Sequence, residues 1–145
     1  MQNLSAKYGK TLNLDKLTSY CPGCGHGIVT RLVAEAIETL GIRERAIAIV
    51  GIGCGGFSHH YMDVDAIEAT HGRSPSFAVG YKLCRPDNIV FTYCGDGDSC
   101  AIGLGDLMHA ANKGMPITSI MVNNSVFGMT GGQMAPTTLL GMKTA

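Results

Sequence analysis

The chain has 145 residues, a length that suits one domain with a sizeable core. Its net charge is zero and charged residues make up only 15%, so it carries no basic footprint for nucleic acid. Hydrophobic residues reach 46%, yet no apolar run approaches the roughly 20 residues that span a bilayer, and the opening MQNLSAKYGKTLNLDKL lacks the apolar core of a signal peptide. The expectation is a cytoplasmic chain without a membrane partner. The high apolar fraction suits either a well-filled α/β core or a surface buried against another subunit.

Residues 1–20 are polar and read as an irregular lead-in. GIVTRLVAEAIETLG predicts a helix, because Val29, Val33, Ile37 and Leu40 recur at helical spacing and Gly41 ends the pattern. RAIAIVG (45–51) reads as a buried strand. Residues 57–80 are ambiguous, and Met62–Ala69 within them suits a strand or a turn. NIVFTYCG (88–95) is a second buried strand. SCAIGLGDLMHAANKG (99–114) predicts a helix capped by Asp98 or Ser99 and stopped by Gly114. PITSIMVNN (116–124) is a third strand. Strands alternating with helices imply an α/β fold, a parallel sheet with helices on its faces.

Ligands of such sheets bind beyond the carboxyl ends of the strands. The three strands lead into GCGG (53–56), GDGD (95–98) and NNSVFGMTGGQ (123–133), so the unusual loops gather at one end of the sheet. In the second and third loops, Asp96 offers a carboxylate, Asn124 an amide oxygen and Val126 a backbone carbonyl. Such oxygen donors suit a hard cation such as Mg2+, usually shared with phosphate. The helix that opens near Ser99 directs free N–H groups to the same region, as a diphosphate requires. A βα turn with a capping aspartate is the plainer reading of GDGD alone.

CPGCGHG (21–27) holds a Cys-x-x-Cys pair just before the first helix, and Cys54 follows the strand after that helix. Six cysteines in a reducing compartment point to metal or redox chemistry rather than disulfides. Three sulfurs leave a zinc site or an iron–sulfur cluster one ligand short, with Cys84, Cys94 and Cys100 as candidates. In HGR (71–73), His71 and Arg73 can meet a phosphate or a carboxylate, or form a surface turn. His59 and His60 read as structural. Met108 and Met121 read as core filler, whereas Met129 lies in the site loop.

In their order along the chain, from about residue 15 onward, CPGCGHG, GIGCGG, HGR, VGYKLCRPD, CGDGD and VNNSVFGMTGGQ resemble the beta subunit of 2-oxoacid:ferredoxin oxidoreductases. The resemblance implies a thiamine-diphosphate-binding domain over 21–145, incomplete at its carboxyl end, with helices on both faces of a parallel sheet. By the same resemblance Asp96, Asn124 and the Val126 carbonyl hold Mg2+. Ile52, Gly53, Cys54, Gly55, His71, Gly97, Asp98, Gly128 and Met129 line the cofactor. Cys21, Cys24 and Cys54 ligate a [4Fe–4S] cluster whose fourth cysteine lies, in the family, well beyond GGQ.

The implied reaction is oxidative decarboxylation of a 2-oxoacid, branched-chain or 2-oxoglutarate, to acyl-CoA and CO2, with electrons leaving through the cluster to ferredoxin. The implied partners are an alpha subunit carrying the pyrimidine-binding domain and its activating glutamate, with room for gamma and delta subunits. No catalytic residue of this chain is assigned, and the chain by itself is expected to be inactive. Two other readings compete. A non-redox thiamine-diphosphate decarboxylase or synthase leaves the cysteines idle. A non-catalytic metal or electron-transfer module leaves GDGD and Asn124 unexplained.

Overall fold

A computed structural model describes residues 9–145. Helix α1 (Gly25–Thr39) buries His26, Thr30, Ala34 and Ile37, one stripe at helical spacing. It ends in a left-handed glycine: Gly41 has φ 62°, its N–H bonds the carbonyl of Glu38, and Ile42 N–H bonds that of Ile37. These are the two bonds of a Schellman closure, and Ile37 and Ile42 pack into the same core beneath it.

Strand β1 (Ala46–Val50) follows and is buried along its whole length. A seven-residue 3-10 segment (Cys54–His60) leads to β2 (Asp65–Glu68), then α2 (Ser74–Cys84) and β3 (Ile89–Gly95). A π-helical turn (Gly97–Ile102), helix α3 (Leu104–Asn112) and β4 (Thr118–Val122) complete the sheet. The strand order is β2–β1–β3–β4, all parallel, so β1 and β3 are central. A small antiparallel hairpin, β5 (Val126–Phe127) with β6 (Gln133–Met134), follows β4.

Side chains on a strand alternate between faces, and here each face has its own core. Ala46, Ala48 and Val50 of β1 pack with Ala34 and Ile37 of α1 and with Phe91 and Tyr93 of β3. Ile47 and Ile49 pack on the other face with Val90 and with Ala78 of α2. Burial on both faces explains why β1 and β3 read as continuous apolar runs rather than alternating ones. The expected sheet with helices on both faces is present.

Two elements differ from expectation. Helix α2 lies inside and beyond the segment left ambiguous; Pro75 sits in its first turn, where a missing N–H costs nothing. The helix expected over 99–114 is divided at Gly103. A Cβ there would come within 2.6 Å of the Gly72 carbonyl, and one at Gly72 within 2.7 Å of Gly103 N. The HGR loop presses backbone to backbone on this point, and the chain absorbs the contact as a π-helical turn before α3 begins. The lead-in residues described are tied to the body: Leu12 bridges Met62, and Thr11 N–H and hydroxyl both bond the Glu38 carboxylate.

Candidate functional site

One cleft opens beyond the carboxyl ends of the strands. It is lined by Ile52–Gly55 after β1, His71 after β2, Gly95–Asp98 after β3, and Asn124 and Val126–Thr130 after β4, with His26 of α1 at its side. Four loops far apart in sequence meet here because parallel strands in register end together: Val50 pairs with Glu68 and with Tyr93, and Gly95 with Val122. All twelve residues expected to hold Mg2+ or the cofactor border this cleft.

The two aspartates of GDGD are both buried, at 1% and 3% exposure, but they face different neighbours. The Asp96 carboxylate accepts a hydrogen bond on Oδ2 from the Thr137 hydroxyl. Asp98 accepts on Oδ1 from His71 Nδ1 and from Gly72 N–H at 2.7 Å. Its Oδ2 is buried without a partner, against Gly51, where a Cβ would lie 1.9 Å away. Asp98 therefore does not cap the following helix, as expected from sequence, and neither does Ser99; the helical turn starts with no side-chain cap. Asp98 instead anchors the His71–Gly72 loop and fixes the imidazole through Nδ1, leaving Nε2 as the nitrogen available to a ligand.

Asn124 lies in a tight Asx turn: its side-chain oxygen accepts Val126 N–H at 3.2 Å. Between them Ser125 has φ 63°, the one left-handed non-glycine among the described residues. The donors that Asp96, Asn124 and Val126 can offer are all oxygen, the set a hard divalent cation selects. A carboxylate at 1% exposure with a single hydroxyl donor lacks a countercharge, and a cation at this place supplies one.

The cysteines form a second group beside the cleft. Cys54 opens the 3-10 segment after β1, and Cys24 sits just before α1 with its N–H on the Cys21 carbonyl at 3.0 Å. Burial, together with the neighbouring Cys24 and Cys21, raises the pKa of the Cys54 thiol. Cys21 and Cys24 therefore lie within electrostatic reach of Cys54. Among the described residues no three His, Cys, Asp or Glu side chains close around a single ion. None of the other cysteines joins them. Cys84 ends α2, roughly 15 Å along the helix from its start at Ser74, and does not line the cleft. Cys94 is buried among Ser74, Asp98 and Ser99 on the α2 face, where burial pushes its thiol up to about 12. Cys100 packs its sulfur on that of Met121.

Residues 33–145 match the family model for the thiamine pyrophosphate enzyme, C-terminal TPP binding domain. The chain belongs to this family. The thiamine-pyrophosphate-binding domain is 48% identical over 127 residues to the ketoisovalerate oxidoreductase subunit VorA of Methanothermobacter thermautotrophicus, covering 88% of this chain and 27% of that one. It is 40% identical over 142 residues to the 2-oxoglutarate synthase subunit KorB of Archaeoglobus fulgidus, covering 97% and 53%. It also matches the solved structure of a 2-oxoglutarate:ferredoxin oxidoreductase from Magnetococcus marinus with 2-oxoglutarate, coenzyme A and succinyl-CoA bound. That match has a TM-score of 0.90 at 34% identity and covers 100% of this chain and 49% of that one. The chain spans about a quarter to about half the length of these relatives.

The thiamine-pyrophosphate-binding domain also brings to the cleft residues that sequence reading did not single out. His26 is the clearest. It stacks on Tyr20 with ring centroids 5.4 Å apart, and the Tyr93 hydroxyl reaches its Nδ1 at 3.4 Å and its carbonyl at 3.2 Å. Burial lowers its pKa, and Asp96 works against that shift. Its place in CPGCGHG, on the first turn of α1, was the available signal. Phe127 is another: its ring lies where a Cβ on Gly97 would be, at 2.4 Å. Among the described residues no helix is long and apolar enough to cross a membrane.

Proposed function

We propose that this chain is the thiamine-diphosphate-binding part of the beta subunit of a 2-oxoacid:ferredoxin oxidoreductase. The complex would convert a 2-oxoacid to acyl-CoA and CO2 in the cytoplasm, with ferredoxin as electron acceptor. The observation that carries this reading is the position of Cys54. It lines the same cleft as Asp96 and Asn124, and Cys21 and Cys24 lie near enough to help raise its pKa. A diphosphate site and a sulfur site therefore share one residue, which a non-redox thiamine enzyme has no use for.

In this reading Asp96, Asn124 and the Val126 carbonyl would hold Mg2+, which would offset the charge of a diphosphate. Gly97 and Asp98, with Gly128 and Met129, would line the cofactor, as would Ile52, Gly53, Cys54 and Gly55. His71, fixed by Asp98, presents Nε2 to the same ligand. Bound thiamine diphosphate supplies the stabilised carbanion that decarboxylation of a 2-oxoacid requires. Cys21, Cys24 and Cys54 would supply thiolates to a [4Fe–4S] cluster, which would carry the electrons away. Its fourth ligand comes from outside the described residues.

The cleft holds about 170 Å³, well under the roughly 300–1,000 Å³ of sites that enclose an organic ligand. That supports a site completed by a second polypeptide, an alpha subunit bearing the pyrimidine-binding domain and the activating glutamate. Gamma and delta subunits would complete the larger assemblies. The relatives named for ketoisovalerate and for 2-oxoglutarate support branched-chain 2-oxoacids or 2-oxoglutarate as substrates. The test is the anaerobically purified complex. It should contain stoichiometric thiamine diphosphate, show a visible absorption that bleaches with reductant, and reduce a viologen dye with coenzyme A and one of these 2-oxoacids. Thiamine diphosphate without the bleachable band would favour the non-redox decarboxylase instead.

A further inference from the structure

Beyond the hairpin, the segment Ala135–Thr138 turns back against the loops after β3 and β4, and its two threonines each grip one limb of the proposed Mg2+ site. The Thr137 hydroxyl donates to Asp96 Oδ2, across 41 residues. The next hydroxyl, of Thr138, donates to the Ser125 carbonyl at 2.6 Å and accepts Ala135 N–H at 2.9 Å. Ser125 is the residue between Asn124 and Val126, held at φ 63°. Such a conformation costs on the order of 1 kcal/mol or more for a non-glycine residue and persists only where its surroundings enforce it. Ala135 is buried at 3% exposure, which seats the segment, and β5–β6 pairing delivers it.

We infer that Thr137 and Thr138 are positioning residues for the metal. Thr137 occupies one oxygen of Asp96 and thereby commits the other, Oδ1, to the ion. Thr138 locks the peptide that sets Asn124 and the Val126 carbonyl at their mutual angle. Adjacent in sequence, the two hydroxyls couple limbs that arise from different strands, β3 and β4. Supporting hydrogen bonds of this kind orient the groups that touch a metal, and their loss commonly weakens binding about 10–100-fold. The inference rests on the proposed Mg2+–diphosphate site.

The test titrates Mg2+ into the purified complex stripped of metal and cofactor, reading thiamine diphosphate binding by calorimetry and bound Mn2+ by electron paramagnetic resonance. Thr137→Val should raise the half-saturating Mg2+ concentration about 10–100-fold. Binding should still reach the wild-type plateau at high Mg2+, and the melting temperature of the stripped complex should be unchanged. Thr137→Ser, which keeps the hydroxyl, should restore the wild-type curve, and Thr138→Val should shift it in the same direction as Thr137→Val. Half-saturation unchanged in both valine variants overturns the inference, as does a serine variant as impaired as the valine one. If Thr137→Val does not assemble, Thr138→Val decides alone. A wild-type complex that binds no thiamine diphosphate in an Mg2+-dependent way overturns the proposed function first, and the inference with it.

Discussion

Burying a carboxylate costs several kcal/mol unless donors or a countercharge answer it. Asp96 and Asp98 solve this differently. Asp98 has two donors, His71 and Gly72 N–H, and serves as a strut under the cleft. Asp96 has the Thr137 hydroxyl and needs more. Asp96→Ala should therefore abolish Mg2+-dependent thiamine diphosphate binding in the complex, a larger loss than the roughly 10–100-fold expected for a supporting residue. Calorimetry showing unchanged binding would remove Asp96 from the metal site. Gly51 gives a second prediction at this scale. A methyl there would sit 1.9 Å from Asp98 Oδ2 and 3.0 Å from the Cys94 sulfur. Asp98 must shift, straining its bonds to His71 and Gly72. Gly51→Ala should cost about 1–3 kcal/mol in urea unfolding, the usual range for an overpacked core. A variant as stable as wild type would mean the strut yields freely.

At the level of elements, α1, β1 and β3 are legible because one dominant pattern governs each: a helical stripe, or an apolar run closed by glycine. The order of loops at the sheet's carboxyl end follows from them, and with it Asp96, Asn124 and Val126; the other nine cleft residues came from the family resemblance. Helix α2 was not legible, since Pro75 opens it, Gly80 interrupts it and its packing on β1 and β3 is tertiary. The π-helical turn was not legible either, because its cause is the contact of Gly103 with Gly72, far away in sequence. Thr137 and Thr138 escaped for the same reason: nothing local in APTTLLG announces a partner 41 residues earlier.

The α2–α3 junction supplies a pH prediction. Asp106 on α3 accepts hydrogen bonds from Ser76 and Arg73 of the α2 amino end, and these hold its pKa below the ordinary aspartate value of 3.8. A folded-state pKa below the unfolded one adds stability above the unfolded value, and that increment vanishes as pH falls through the lower, folded value. The pair is partly exposed, so Asp106→Asn should cost no more than about 1 kcal/mol near pH 7. Melting curves of variant and wild type should converge as pH drops below 3.8, and a difference that persists there would assign the effect to packing instead.

For the molecule as a whole, the decisive quantity is how much of a ligand this chain can surround. Its cleft of about 170 Å³ is walled by the strand ends on one side, with Met129 still 51% exposed at the mouth. An enclosing site buries some 70–90% of its ligand's surface, and a site with one wall buries far less. On the proposed reading, Asp96, Asn124 and the N–H groups at the start of the π-helical turn would serve the diphosphate end. The organic end would rest on the glycines that line the cleft, with no roof among the described residues. Each 1.4 kcal/mol of missing contact is a tenfold loss of affinity. The chain alone should therefore bind thiamine diphosphate with Mg2+ at least about tenfold more weakly than the assembled complex does, with most of the remaining affinity retained by inorganic pyrophosphate. Calorimetry on the two preparations with both ligands measures this directly. Equal affinity for thiamine diphosphate in chain and complex would mean that the cleft closes by itself and that the second polypeptide contributes chemistry without contact.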